Sequence, residues 1–399
     1  MPARIWAWIL LPLLIGSIGV VYATLLPLSN SDLDYWYTRW VISLRSAGLS
    51  ATVHSPEFDY QPIYLVLLQS IDWLSPVEAP IVTVKLAALA GLATLLPLPF
   101  LMARERSPLP ASVAIALTLC LVPSVVANTA LWGQADILYA SPLLWAIYLG
   151  ASGRLGLALV PFGLALTIKL QAIFLAPLFV FAVLRRPASL RYVPLIIVGF
   201  VPAMLASLAS GTGLLRVAGV YIDQFNYFHR LSMNAPNIWE VLGRLVDPLY
   251  GPGVVVGLSL GIGLSLYIAG LALAPVHADR SAQWREKLYW LVALLAAIGI
   301  PFLLPKMHDR YFFVADILTL LALIKYRTYL FGACFALMQS GSLLAYLAFH
   351  GATPLAGWGP FAGAFCTGGA LLLVMHMILR LLAGDAAAHP LLQHPDRPS

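Results

Sequence analysis

The feature that most constrains this chain is a succession of apolar runs, most of them as long as a bilayer is thick. A helix needs roughly 20 apolar residues to cross the hydrocarbon core. Such runs lie near 5–27, 81–103, 109–127, 133–151, 155–168, 171–184, 192–210, 252–274, 288–304, 311–324, 328–349 and 360–382. The pairs 155–168/171–184 and 288–304/311–324 are short, so tilt, burial in the protein or a miscount could apply there. Only 10% of the residues are charged and 61% are hydrophobic. A soluble domain carries about 25% charged residues to cover its surface, so lipid must solvate most of this chain. The expected fold is an all-α polytopic membrane protein with about 12 transmembrane helices (11–13), forming one domain over 1–383. A disordered cytoplasmic tail is expected over 384–399.

The first run, about Ile5 to Leu28, is long for a signal-peptide core and lacks a small-x-small cleavage site. It is expected to stay as the first span. Within the first loop, Ile63 to Leu74 is too short to cross and is expected to lie at the interface or dip into it.

Lysine and arginine counts set the orientation. With the N-terminus inside, the inner segments hold 14 of the 23 basic residues, among them Arg104, Arg106, Arg185, Arg186, Arg191, Arg280, Arg285 and Lys325. The outer segments hold the other nine together with eleven acids, and Asp316 falls inside a span. This is the positive-inside pattern with both termini cytoplasmic. The basic pI of 9.2 reflects those loops and gives no reason to expect nucleic acid. The outer side carries a long first loop, 28–80, and a second one, 211–251. Cys120, Cys334 and Cys366 lie in apolar runs without metal-ligand spacing, which argues against a disulfide framework or zinc site.

Six polar clusters fall on the outer face. Ser31-Asp32-Leu33-Asp34-Tyr35-Trp36 follows the first span. Its two carboxylates could take a proton from a hydroxyl or hold a divalent cation such as Mg or Mn. They could equally cap a helix. Glu57-Phe58-Asp59-Tyr60-Gln61-Pro62 has the chemistry of an interfacial anchor and a helix start. Trp132-Gly133-Gln134-Ala135-Asp136 places a carboxylate at a span boundary. There it needs a partner or a polar cavity, unless it caps the helix. In Lys169-Leu170-Gln171, the lysine could snorkel to the headgroups or contact a phosphate, and the glutamine has no snorkelling explanation. Lys306-Met307-His308-Asp309-Arg310-Tyr311 is denser in ionisable groups than a connecting turn needs, and Arg310 can fork onto a phosphate. The loop Tyr221–Trp239 brings Asn234, Asn237 and Trp239, residue types common both on sugar-facing surfaces and in ordinary interfacial loops. Each cluster is weak alone. Their shared face favours one outer site.

Taken in order, these motifs resemble the GT-C superfamily of integral membrane glycosyltransferases over about residues 20–325. The likeness is to bacterial mannosyltransferase-like members and to transferases that use polyprenyl-phosphate-linked sugars. The family often has Asp-Tyr-Pro-Pro where this chain has Asp59-Tyr60-Gln61-Pro62, and His-Glu-Arg-Tyr where this chain has Asp309 after His308. The resemblance implies an inverting transfer of one sugar from a polyprenyl-phosphate donor to a glycan, glycolipid or polysaccharide acceptor. It places the reaction on the periplasmic face of a bacterial inner membrane. It assigns Asp32 or Asp34 as the base, since the pattern fits either register. It puts Lys169, His308, Arg310 and Lys306 toward the donor phosphate. Asp59, Tyr60, Gln134, Asp136, Gln171, Asp309, Tyr311, Asn237 and Trp239 go with them toward the sugar or acceptor. The rival reading is a transporter or flippase of lipid-linked sugars, which should carry polar residues at mid-span and repeated broken helices. Neither is visible in the sequence apart from Asp316.

Overall fold

A computed structural model describes residues 2–55, 57–213, 219–220, 229–245, 250–273, 280–351 and 356–384. The Tyr221–Phe228 part of the second long loop and the expected tail beyond 384 lie outside the described residues. The described chain is helical nearly throughout. Its strands are a two-residue parallel pair, Ser232–Met233 beside Met307–His308. Helix is the expected solution in lipid, because each helix satisfies its own backbone polar groups.

Six helices are long and apolar enough to cross a membrane: Pro80–Arg104, Pro187–Ala209, Tyr250–Leu271, Ala282–Leu303, Tyr329–Phe349 and Gly359–Ala383. Each coincides with an apolar run of the sequence, and together they make this an all-α polytopic membrane protein. The run at 109–127 is a bent pair, Leu109–Leu121 and Pro123–Leu131, meeting at 54°. Pro123 explains the break, since its ring clashes with the preceding turn and it has no N–H to donate. The runs at 133–151, 155–168 and 311–324 are the helices Asp136–Ala151, Leu155–Ile168 and Phe313–Tyr326, of 16, 14 and 14 residues. At 1.5 Å per residue they span only about 21–24 Å, less than the ~30 Å hydrocarbon core.

The residues divide into two compact units. The first comprises Met1–Ala146, Leu159–Ala172 and Pro194–Phe228. Its outer-loop part is built on the helices Thr38–Val53 and Pro62–Leu74. Pro62 takes the first helical position, where a missing N–H costs nothing. With 13 residues that helix is too short to cross, and Trp73 and Leu74 at its end are 74% and 85% exposed. Arg45 ties this region together. Its guanidinium donates to the Asp72 carboxylate at 2.7 Å and to the carbonyls of Val77 and Glu78, just before the helix that starts at Pro80. Thr83 donates to the same carboxylate at 3.0 Å. Those bonds to Arg45 hold the Asp72 carboxyl below its usual range, and burial opposes them only in part.

Between helices, lipid offers no hydrophobic gain, so close backbone packing has to supply the attraction. Gly163 and Gly199 show this. A Cβ on Gly163 would lie 2.2 Å from the Ile196 carbonyl oxygen, and one on Gly199 would lie 2.1 Å from that of Val160. The helices carrying them touch backbone to backbone. Lys85 is fully buried, and its ammonium donates to the carbonyls of Leu25 and Leu28 at 2.8 and 2.6 Å. It thereby serves the carbonyl end of the first helix, where a cation is favoured.

The second unit comprises Ile147–Ala158, Ile173–Val193 and His229–Ser399. Its centre is the Ala282–Leu303 helix, buried along almost its whole length. Asp316 is fully buried on the Phe313–Tyr326 helix and accepts from the Ser342 hydroxyl at 2.9 Å. It therefore joins two helices of this unit.

Candidate functional site

In the first unit, Asp32 sits where the first helix has ended and a π-helical turn, Leu33–Tyr37, begins. A second π-helical turn, Ala127–Leu131, precedes the Trp132–Asp136 motif. Such wide turns recur at functional sites because they re-aim side chains. Gly133 then adopts φ +70°, in the left-handed region, and a Cβ there would also meet Leu33 at 2.9 Å. Only glycine suits that position. The reversal presents Trp132 and Gln134 to one oxygen of Asp32. The indole N–H and the Gln134 amide both donate to Asp32 Oδ2 at 3.0 Å.

The direction of the remaining bonds follows from proton counting. The Tyr37 hydroxyl lies 2.8 Å from Gln134 Oε1 and 2.7 Å from the Tyr60 hydroxyl. Gln134 must turn its NH₂ toward the acceptor carboxylate, which leaves Oε1 to accept. Tyr37 has one proton and gives it to Gln134, so Tyr60 donates to Tyr37. The result is a directed chain, Tyr60 to Tyr37 to Gln134 to Asp32. Aromatic packing holds its far end, with Tyr37 4.9 Å from Trp40 and Tyr60 5.4 Å from Tyr64 between ring centroids.

Asp34 is placed differently. It is exposed, and its carboxylate accepts from the Ser29 hydroxyl. Neither acid makes a side-chain cap to its own helix: Asp32 occupies the capping position without a capping bond.

Asp136 and Lys169 form a buried ion pair, with side chains 1% and 7% exposed. The other Asp136 oxygen accepts from Asn128 Nδ2 at 3.0 Å. The Lys169 ammonium also lies 5.4 Å over the Tyr60 ring, which brings this pair beside the chain that ends at Asp32. Lys169 therefore does not snorkel. Its charge is met inside the protein, and a phosphate is not its first partner. Gln171 is buried and its Oε1 has no hydrogen-bond partner among the described residues. Asp59 is exposed.

The second unit holds the other sequence candidates. Backbone pairing pins the Lys306–Tyr311 turn: Lys306 N donates to the Leu231 carbonyl at 2.7 Å and Asp309 N to that of Met233 at 3.2 Å. Lys306 has φ +62°, and its ammonium lies 5.6 Å over the Tyr250 ring. Asp309 is buried, His308 and Arg310 are half-buried, and the His308 and Tyr311 rings are 5.1 Å apart. Asn237 and Trp239, expected to face sugar, are buried and committed to the backbone. Asn237 Oδ1 accepts from the N–H groups of Trp239 and Glu240, capping the Ile238–Leu245 helix. Its Nδ2 donates to the Leu304 carbonyl at 3.2 Å, and the Trp239 indole donates to that of Leu303 at 2.6 Å. These bonds use the polar groups that would otherwise read a ligand.

Two residues of the first-unit site escaped the sequence reading. Tyr37 stood in an aromatic-rich stretch with nothing to single it out, and Asn128 lay just past an apolar run. Trp132 belonged to a recognised motif, but only contact with Asp32 gives its indole a role. Among the described residues no group of three His, Cys, Asp or Glu side chains could hold a metal. At Asp32 the two N–H donors take Oδ2.

Fold and composition define the class, a polytopic α-helical membrane protein with a buried, ordered polar site. No protein-family model matches the chain, and no curated protein matches it.

Proposed function

We propose that this protein is a GT-C-type glycosyltransferase with about twelve membrane crossings. It moves a single sugar from a polyprenyl-phosphate-linked donor to a glycan, glycolipid or polysaccharide acceptor at the periplasmic face of a bacterial inner membrane. The observation that supports this reading most is the directed chain from Tyr60 through Tyr37 and Gln134 to Asp32. An inverting transfer needs one carboxylate held still while it takes the acceptor proton. Two N–H donors fix Asp32 in this way, whereas the exposed Asp34 carboxylate meets, among the described residues, a serine hydroxyl. Asp32 is accordingly the base in this proposal. A lipid-phosphate donor stays in the bilayer, so a carboxylate placed just after a membrane helix suits it. Arg310, His308 and Lys306 are assigned to the donor phosphate on residue type and order alone. Positive charge there would stabilise the leaving phosphate as its charge develops. No step is assigned to a metal.

The test uses membranes containing full-length protein and a labelled polyprenyl-phosphate sugar. Asp32→Asn should lower transfer by about 10²-fold or more, the usual scale for a lost general base. Asp34→Asn should stay within a few-fold of wild type. Undiminished transfer by the Asp32→Asn protein would remove the base assignment. Movement of labelled lipid between leaflets with no sugar transfer would instead favour the flippase reading.

A further inference from the structure

The second unit contains a cavity of about 420 Å³ lined by three arginines, Arg185, Arg186 and Arg285. One acid, Glu286, lines it too, but its carboxylate lies 2.9 Å from the Lys325 ammonium. That pair cancels itself and leaves no other described acid in the cavity lining. Arg285 donates to the Arg280 carbonyl at 2.7 Å, and Arg185 lies 5.7 Å over the Phe181 ring. None of the three forms an ion pair among the described residues. Burial, and then the charges of Arg285 and Arg186, pull Arg185 below its usual pKa, so the groups are close enough to repel.

Tyr289 lines the same cavity with its ring, while its hydroxyl is buried against Gly150, where a Cβ would lie 2.1 Å from it. A bound anion would relieve the mutual repulsion of the arginines.

Helix ends do not provide the missing negative charge. Ala282 opens the Ala282–Leu303 helix, while Ala151 and Ala182 belong to the closing turns of two others, and all three line the cavity. At about half a charge per end, these sum to about half a negative charge. Three guanidinium groups exceed that several-fold. The positive-inside rule accounts for arginines near such helix ends. It does not account for three of them lining one cavity.

We propose that this cavity binds a phosphate-bearing anion, held by Arg185, Arg186 and Arg285. Guanidinium groups fork onto phosphate oxygens with two parallel bonds, and Phe181 and Leu155 offer apolar wall for an ester's carbon skeleton. The phosphate could come from an anionic lipid headgroup or from a soluble phosphate compound. The site is separate from the proposed transfer residues of the same unit. The Ala282–Leu303 helix, 22 residues long, has this cavity at its start and Lys306 beyond its end. That is about 33 Å away at 1.5 Å per residue.

Two arms test the proposal on the full-length, delipidated protein. In one, inorganic phosphate and pyrophosphate are titrated in detergent against chloride at matched ionic strength, with thermal unfolding as the readout. In the other, the protein is reconstituted with dioleoylphosphatidylcholine alone or mixed with dioleoylphosphatidylglycerol, and retained lipid is read by native mass spectrometry. Wild type should bind in at least one arm, and the arm identifies the source. R186Q/R285Q should weaken that binding by about tenfold or more, the scale of losing charge-assisted hydrogen bonds. R186Q alone changes an exposed arginine, so it should fold as wild type does and weaken binding by a smaller factor, and it decides the matter if the double variant fails to fold. Absence of wild-type binding in both arms, or affinity unchanged in the variants, would overturn the proposal.

Discussion

Replacing Lys169 with methionine would remove an ammonium from a place where its partner has no access to water. Asp136 is 1% exposed and would keep the Asn128 amide as a side-chain donor at 3.0 Å. Breaking a buried ion pair by deleting one member costs about 3–5 kcal/mol, because the orphaned charge stays desolvated. At 1.4 kcal/mol per decade that is roughly a hundred- to several-thousand-fold in the folding equilibrium. Asp136→Leu should cost a similar amount, since it strands the lysine. The double variant K169M/D136L should recover most of either loss, because an apolar pair needs no desolvation. The assay is reversible unfolding in mixed micelles, followed by tryptophan fluorescence and analysed as a double-mutant cycle. A coupling energy below about 1 kcal/mol, the range of exposed pairs, would refute the claim that this charge is met by burial and pairing rather than by lipid headgroups.

At the contact between Gly163 and Gly199, Gly199→Leu must push two helix backbones apart, given the 2.1 Å approach of a Cβ to the Val160 carbonyl. A marked fall in unfolding temperature is expected, and an unchanged value would show that the two helices do not need this contact. The Arg45–Asp72 contact predicts a pH dependence. Because the folded Asp72 pKa lies below its ordinary value, its contribution is complete above that ordinary value and is lost as pH falls through the folded one. Unfolding scans from neutral to strongly acidic pH should show this loss in wild type and a flatter profile in Asp72→Asn. Tyr37→Phe removes the middle proton of the chain to Asp32 and leaves Gln134 Oε1 without that donor. Transfer should drop by several-fold or more while the protein stays folded, and undiminished transfer would mean the chain does not position Asp32.

Legibility in the sequence follows the range of the interaction. The long apolar runs became helices at nearly the expected places, because hydrophobic length is a local property that lipid enforces directly. The break before Pro123 is also local and could have been foreseen, although Pro12, Pro142 and Pro161 lie inside helices that continue past them. The helices at 136–151 and 155–168 are too short to span, and their lengths follow from what sits beyond their ends. Gly153, at φ +79°, lies between them, and Lys169 follows the second, drawn to Asp136. Its partner lies 33 residues away in sequence, and no periodicity reports a pairing over that distance.

The two acids at positions 32 and 34 show most clearly where local reading stops. In the sequence they are equivalent: each follows the first span, each is flanked by apolar or aromatic residues, and either register fits. Their difference arises from residues about 100 positions away, where a π-helical turn and a left-handed glycine aim Trp132 and Gln134 at Asp32 Oδ2. The same geometry separates Lys169 from Lys306, which sequence reasoning grouped as phosphate ligands. Lys169 is neutralised by a buried carboxylate, whereas Lys306 lies half-buried over a tyrosine ring. A cation already paired inside the protein can hold shape and set the field around Asp32. To meet a ligand phosphate it would first have to give up Asp136, at the cost of the buried pair. Residue type therefore carried the chemistry of the site, and distant partners decided which copy of each type is placed to use it.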